Sequence, residues 1–327
     1  MRFINRATWH RTARIGTILV IAGLLIRWSW TSRDISDPVC KLKTNAAWVS
    51  VDWTSRPIDV ARIGQLSSDV RNRDMKYLFP YVSYLKRDGT FSKSYDHAGE
   101  FVAAYKQVNP QTKLLAWIGL PITNTTRSEM AGWVDLSDAA TRRKITTFVA
   151  DLVHQANFDG VHLNAEPISG GNTDFLTLLE EIRQTIGAGK MISVAGHHWA
   201  LDALAMFPTA DWTSSYYRTV AEQVDQVVVM AYDSQLTSPA LYRLWMREQV
   251  KHIAESVAAT DAGLLIGISV SQEQTESHHP SAETLVDGLA GLCAGVASEL
   301  GLVKGVAVYA DWEFSSADWQ VWREWQH

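Results

Sequence analysis

Glu166 is the residue of this chain whose setting most plainly asks for chemistry. It closes the segment Asp159-Gly160-Val161-His162-Leu163-Asn164-Ala165-Glu166-Pro167, in which apolar and polar residues alternate. A period of two marks a strand, because successive side chains point to opposite faces. Val161, Leu163 and Ala165 then share one face, and His162, Asn164 and Glu166 the other. Three stacked polar residues on an inward face cost stability unless they are hydrogen-bonded. The column is therefore either a satisfied polar ladder or a site. A carboxyl group at its end, raised by burial towards a working pKa, is a proton donor.

Such residues need a scaffold, and the rest of the chain supplies a repeating one. Short β-branched runs at 48–53 (WVSVDW), 77–85, 114–121, 160–167, 191–199, 226–233, 264–270 and 305–313 read as strands. Helical patterns fall between and after them at 96–107, 139–155, 173–186, 216–224, 240–259, 281–300 and 316–325, with a vague connection at 58–71. Eight strands alternating with helices describe an α/β fold, a (β/α)8 TIM barrel over residues 45–327. The doubly wound open sheet is disfavoured, since no early strand leads into a glycine-rich phosphate loop. In a barrel the chemistry gathers where strands end. The polar and aromatic residues there are Asp52, Trp53, Tyr84, Glu166, His197, His198, Trp199, Tyr232, Asp233, Asp311, Trp312 and Glu313. Trp117 adds an aromatic wall from the third strand. Trp319, Trp322 and Trp325 recur at helical spacing and are expected to pack the last helix on the barrel. His278 and His279 precede Pro280 and read as a helix-capping loop.

Residues 158–166 resemble the signature of glycoside hydrolase family 18, the chitinases, in which DGxDxDxE ends the fourth strand. Asp159, Gly160 and Glu166 match it. Residues 229–233 (VMAYD) resemble that family's sixth-strand MxYD, and residues 305–312 its eighth strand, which ends near a Trp. His162 and Asn164 stand where the motif has its two inner aspartates. In family 18 the aspartate two before the glutamate orients the substrate's 2-acetamido group, whose oxygen attacks the anomeric carbon. The Asn-x-Glu pair is similar to glycoside hydrolase family 85, the endo-β-N-acetylglucosaminidases, with a signature near FDGxxxNxE that Phe158, Asp159, Gly160, Asn164 and Glu166 match. There the asparagine orients the acetamido group and the glutamate is the acid/base. The resemblance implies Glu166, Asn164 and Tyr232 as catalytic residues. Asp52, Trp53, Tyr84, Trp117, His162, His197, Trp199, Asp233 and Trp312 are the expected substrate contacts. No cofactor is implied. No metal is expected either: the first strand offers Ser50-Val51-Asp52 where metal-dependent barrel hydrolases carry two histidines.

Charge and composition bound the partners. Of 30 Lys and Arg, six arginines lie in residues 1–33 with no acid beside them, leaving 24 bases against 35 acids in the body. An acidic body does not attract phosphate backbones, so nucleic acid is not an expected partner. The 14 tryptophans suit the flat faces of sugars. Residues 15–26 are apolar and uncharged, follow four arginines and end at Arg27-Trp28-Ser29-Trp30. That reads as a signal-anchor or signal segment, too short for a full span of about 20 residues. The expected organisation is this basic segment (1–33), a linker (34–44) and the barrel (45–327). The body would be membrane-anchored facing outside, or secreted. Export would permit a Cys40–Cys293 disulfide, for which two cysteines alone are weak grounds.

The expectation is an exported glycoside hydrolase acting on an N-acetylhexosamine-containing glycan. Two alternatives stand beside it. One is a two-carboxylate glycosidase on an unacetylated sugar, with Glu313, Asp311, Asp233 or Glu273 as the second carboxylate. The other is a catalytically inactive chitinase-like module that binds glycan.

Overall fold

A computed structural model describes residues 34–123, 132–200, 211–299 and 301–327. The apolar run at 15–26 lies outside them. Among the described residues no helix is long and apolar enough to cross a membrane.

Eight parallel strands pair in sequence order and close into a barrel: β1 (Asn45–Val49), β2 (Met75–Tyr84), β3 (Lys113–Pro121), β4 (Gly160–Glu166), β5 (Met191–Gly196), β6 (Gln226–Met230), β7 (Gly263–Ser269) and β8 (Val303–Tyr309). Each is followed by a helix: α1 (Val60–Asn72), α2 (Ala98–Val108), α3 (Ala139–His154), α4 (Thr173–Ile186), α5 (Ser214–Ala221), α6 (Pro239–Val257), α7 (Leu285–Val296) and α8 (Ser316–Gln326). The vague connection at 58–71 is α1, begun by Asp59, whose carboxylate accepts from the amides of Ala61 and Arg62.

The expected strands ran past the real ones at four carboxyl ends. Residues 50–53, 197–199, 231–233 and 310–313 are loops or short helical turns, at Asp52–Ser55 and Asp311–Glu313. Their aromatic and β-branched residues look like strand in composition but build the rim of the barrel. At the other end, Asn45 starts β1 before the expected position. Its Oδ1 accepts from Val306 N at 2.9 Å and its Nδ2 donates to Leu42 O at 3.3 Å, so the side chain extends the ladder.

The strand alternation divides the apolar residues into two layers. Val161, Leu163 and Ala165 join the layer between barrel and helices. The barrel interior holds Ala46, Trp48, Phe79, Leu115, Val228, Leu265 and Ala307. Trp322 and Trp325 of α8 are fully buried in the outer layer. The segment expected as a linker is packed on the barrel: Cys40 is buried and bonded to Cys293 of α7, and Trp325 Nε1 donates to Cys40 O at 3.0 Å. The disulfide ties together residues 253 positions apart. Loss of so long a cross-link is expected to cost about 2–4 kcal/mol. Cys293→Ser should therefore melt about 5 °C below the parent by calorimetry under non-reducing conditions.

Candidate active site

The front half of the 158–166 segment builds the fold. Asp159 Oδ2 accepts from Leu114 N at 2.8 Å and pairs with Lys106 at 2.6 Å, joining β3 to β4 at their amino ends. A Cβ on Gly160 would lie 2.0 Å from Met191 O, so only glycine lets β4 and β5 meet there.

The back half climbs the interior. His162 is fully buried, stacked on Phe79 with centroids 4.1 Å apart. Its Nε2 accepts from Trp48 Nε1 at 3.1 Å, which leaves the proton on Nδ1 to be donated to Ser193 Oγ at 2.9 Å. Ser193 in turn donates to Gln226 Oε1 at 2.8 Å. Burial pushes the imidazole pKa down to about 3, so the ring is neutral. His162 is thus a strut between strands, sealed from any ligand, and not the substrate contact its face implied.

Asn164 and Glu166 are half-buried above it. Asn164 Nδ2 donates to Glu166 Oε2 at 2.8 Å, while Asn164 Oδ1 is buried and without a protein partner. Desolvation raises the Glu166 pKa above its ordinary 4.5, the amide hydrogen bond opposes this, and the charge of Asp233 adds to it. Tyr232 is 7% exposed and stacks on Tyr309 at 5.4 Å. Tyr309 also meets Trp48, Trp117 and Trp312 edge-on at 5.8, 6.3 and 5.9 Å. Of these rings Tyr232 and Tyr309 stand close enough for their hydroxyls to feel the Glu166 charge. Trp117 packs on Tyr81 at 4.9 Å, and its Nε1 is a second buried polar atom without a partner. Trp312 is 47% exposed, with its face available at the rim.

Two expected contacts, Trp53 and Trp199, lie elsewhere. Trp53 packs in the outer layer against Phe101, under the Arg62 guanidinium at 4.7 Å. Trp199 stacks on His252 at 4.0 Å and donates to Ser214 Oγ, also in the outer layer. A strand end turned outward gives these two indoles to the helices. Asp52 pairs with Arg56 at 3.2 Å. Tyr84 stands near Trp133, with centroids 6.5 Å apart. His197 Nε2 accepts from Ile168 N at 3.1 Å, and burial takes its pKa down to about 4, so it is a neutral brace under the chain that follows Glu166. Asp311 is committed to Arg73 at 2.5 Å.

Sequence reasoning missed Glu283. It is fully buried and receives Asp233 N at 2.8 Å, Ser234 N at 3.0 Å and Ser234 Oγ at 2.8 Å. His278 Nδ1 lies 3.0 Å from Glu283 and 3.3 Å from Asp233, and its Nε2 faces Ser271 O at 3.1 Å. Asp233, His278 and Glu283 have the composition of a metal site. Their chemistry is that of an ion cluster. Both ring nitrogens face acceptors and so carry protons, and the two carboxylates raise the His278 pKa to about 10. The only advance signal was the His-His-Pro stretch, which reads as a cap.

Residues 65–315 match the family model described as "Glycosyl hydrolases family 18". No curated protein sequence matches the chain. Among solved structures it resembles the Bacillus cereus spore cortex-lytic enzyme SleL, at TM-score 0.59 and 14% identity, over 86% of this chain and 73% of that one. It also resembles a class V chitinase from Pseudomonas fluorescens, at 0.58 and 13%, over 87% and 100%. A chitinase from Rhizomucor miehei gives 0.57 and 13%, over 86% and 99%. At these identities the likeness is one of fold.

The raised Glu166 pKa has a consequence for stability. Below 4.5 both folded and unfolded states hold the proton; as pH rises through the folded value, the unfolded state is favoured by releasing it first. Glutamine mimics the neutral acid. Glu166→Gln is therefore expected to melt with the parent at pH 4 and above it once the pH has passed the folded value, as read by thermal melts from pH 4 to pH 8.

Proposed function

The chain belongs to glycosyl hydrolase family 18, and from that premise we propose that it is an exported, retaining hydrolase of glycans containing N-acetylhexosamine. The observation that carries this reading is the divided amide of Asn164. Its N–H holds Glu166, and its buried oxygen has no protein partner. A buried acceptor left unsatisfied costs about 1–3 kcal/mol, which a ligand N–H would relieve. The N–H of a sugar's 2-acetamido group has the required chemistry. Held there, the acetamido carbonyl oxygen is free to attack the anomeric carbon as Glu166 protonates the departing glycosidic oxygen. Carbon–oxygen bond formation on one side accompanies cleavage on the other. The bicyclic intermediate is then opened by water, from which Glu166 takes back a proton, with net retention.

The desolvated Glu166 suits the acid role, since the best general acid has a pKa near working pH. Tyr232 packs beneath the sugar and presents its hydroxyl, which burial keeps protonated, to the acetamido group. Trp312 offers a platform for the neighbouring sugar. The similar structures, two chitinases and a spore cortex-lytic enzyme, accord with this substrate class. The basic, apolar residues 1–33 and the Cys40–Cys293 bond accord with export to an oxidising compartment. The role of Asn164 follows the Asn-x-Glu mode of family 85 on a family 18 barrel.

The direct test is turnover of chitooligosaccharides, peptidoglycan fragments and N-glycans by residues 34–327. Glu166→Gln should lower kcat by at least about 10²-fold while leaving binding near the parent's. If it retains full activity, Glu166 is not the acid. A parent that binds these glycans but turns none over would instead mark a glycan-binding module. Trp312→Ala is expected to raise KM several-fold on chitooligosaccharides with kcat little changed, the pattern of a lost binding contact. Asn164→Asp removes the donor to Glu166 and adds a like charge, so its pH optimum should rise above the parent's. An unmoved pH–rate profile for that variant would take Asn164 out of the site.

A further inference from the structure

Tyr232 and Asp233 reach the site on a loop that leaves β6 in an unusual path. Asp233 and Gln235 both have φ near +60°, a region that non-glycine residues enter only when surroundings hold them there. What holds them comes from the loop after β7. Glu283 collects the amides of Asp233 and Ser234 and the Ser234 hydroxyl, and it is buried with no route to solvent. A buried carboxylate requires a compensating cation. His278, itself 4% exposed, supplies one, and the same ring nitrogen that meets Glu283 also faces Asp233 Oδ1. The far side of the ring is anchored on Ser271 O.

We propose that His278 and Glu283 are positioning residues for the Tyr232–Asp233 turn, and that the His278 cation offsets the Asp233 charge beside Glu166. The inference rests on the reading of Glu166 as the acid. Glu283 sets where Tyr232 and Asp233 stand, and His278 sets how much negative field Asp233 projects into the site.

Among the described residues the groups around Glu166 are Asn164 from β4, Tyr232 and Asp233 after β6, and Tyr309 from β8, whose hydroxyl also feels Glu313 and Glu273. Both tyrosines are protonated, so among the described residues Asp233 is the charge that acts on Glu166. Around His278 are Asp233, Glu283 and the Ser271 carbonyl. Behind Glu283 stands Tyr242 of α6, protonated and donating to Ala231 O at 2.8 Å, and beyond it Asp287 is paired with Arg243. The net field on Glu166 therefore depends on whether His278 is charged. Its pKa of about 10 keeps it so at neutral pH.

The test follows Glu166 without needing a substrate: carboxyl ¹³C NMR of the full chain labelled at glutamate, with the Glu166 signal assigned by its loss in Glu166→Gln. In His278→Gln the Glu166 midpoint is expected to rise by at least about half a pH unit, since Asp233 is no longer offset. His278→Lys should bring it back towards the parent, and Asp233→Asn should lower it. On an active parent, the basic limb of the pH–rate profile should move with the midpoint. Arg183→Gln, which breaks the Arg183–Asp225 pair outside the site, should lower Tm without moving it. An unmoved Glu166 midpoint in folded His278→Gln overturns the proposal. If that variant does not fold, the parent's own His278 ring decides: it should stay protonated through pH 8.5, and a ring titrating near its ordinary 6.5 overturns the proposal equally. Loss of the catalytic reading alone would show instead as undiminished turnover by Glu166→Gln.

Discussion

The site depends on one hydrogen-bonded relay across the barrel interior. Trp48 donates to His162, His162 to Ser193, and Ser193 to Gln226. The relay joins β1, β4, β5 and β6, four of the eight strands, at a level where the interior is otherwise apolar. A slip of one residue in β4 would move His162 to the helix side and bury Leu163 in its place. It would also leave the Trp48 and Ser193 groups unpaired in a low-dielectric core, where each orphan costs about 1–3 kcal/mol. The register of β4 is fixed by that cost. Asn164 and Glu166, two and four residues further along, inherit it.

Above the relay the interior changes from satisfied to available. Asn164 spends one half of its amide on Glu166 and keeps the other, and the Trp117 indole nitrogen is likewise buried without a protein partner. Burial raises the pKa of the carboxyl, beside which Tyr232 and Tyr309 stand. In the family 18 motif, carboxylates at the two inner positions supply charge around the glutamate. Here His162 is neutral and Asn164 uncharged; burial raises the Glu166 pKa, and the charge of Asp233 adds to it.

How much of this was legible beforehand follows from the range of the interactions. Local alternation placed Val161, Leu163 and Ala165 outward and His162, Asn164 and Glu166 inward, because side-chain direction in a strand is settled by neighbouring residues. The eightfold strand–helix repeat specified a closed barrel for the same reason, and the motif residues placed Glu166 at its mouth. Strand ends were less legible. The rim of a barrel is built from aromatic and β-branched residues that carry strand composition into loops, as at 197–199 and 310–313.

The tertiary structure alone decided which residue at a strand end faces the pocket. Trp53 and Trp199 stand at the same kind of position as Trp312, yet Arg62 and Phe101 claim the first, and His252 and Ser214 the second. No local pattern encodes those partners, which lie between 9 and 53 residues away. Nor did sequence distinguish a sealed histidine from an open one, or show that His278 is a cation, since protonation depends on what surrounds a ring in space. Glu283 is the clearest case. In sequence it is one acid among 35, before a helix. In the fold it is buried, and it holds by hydrogen bonds a turn 50 residues earlier in the chain. Periodicity determines which way a side chain starts; only the closure of the barrel determines what it meets.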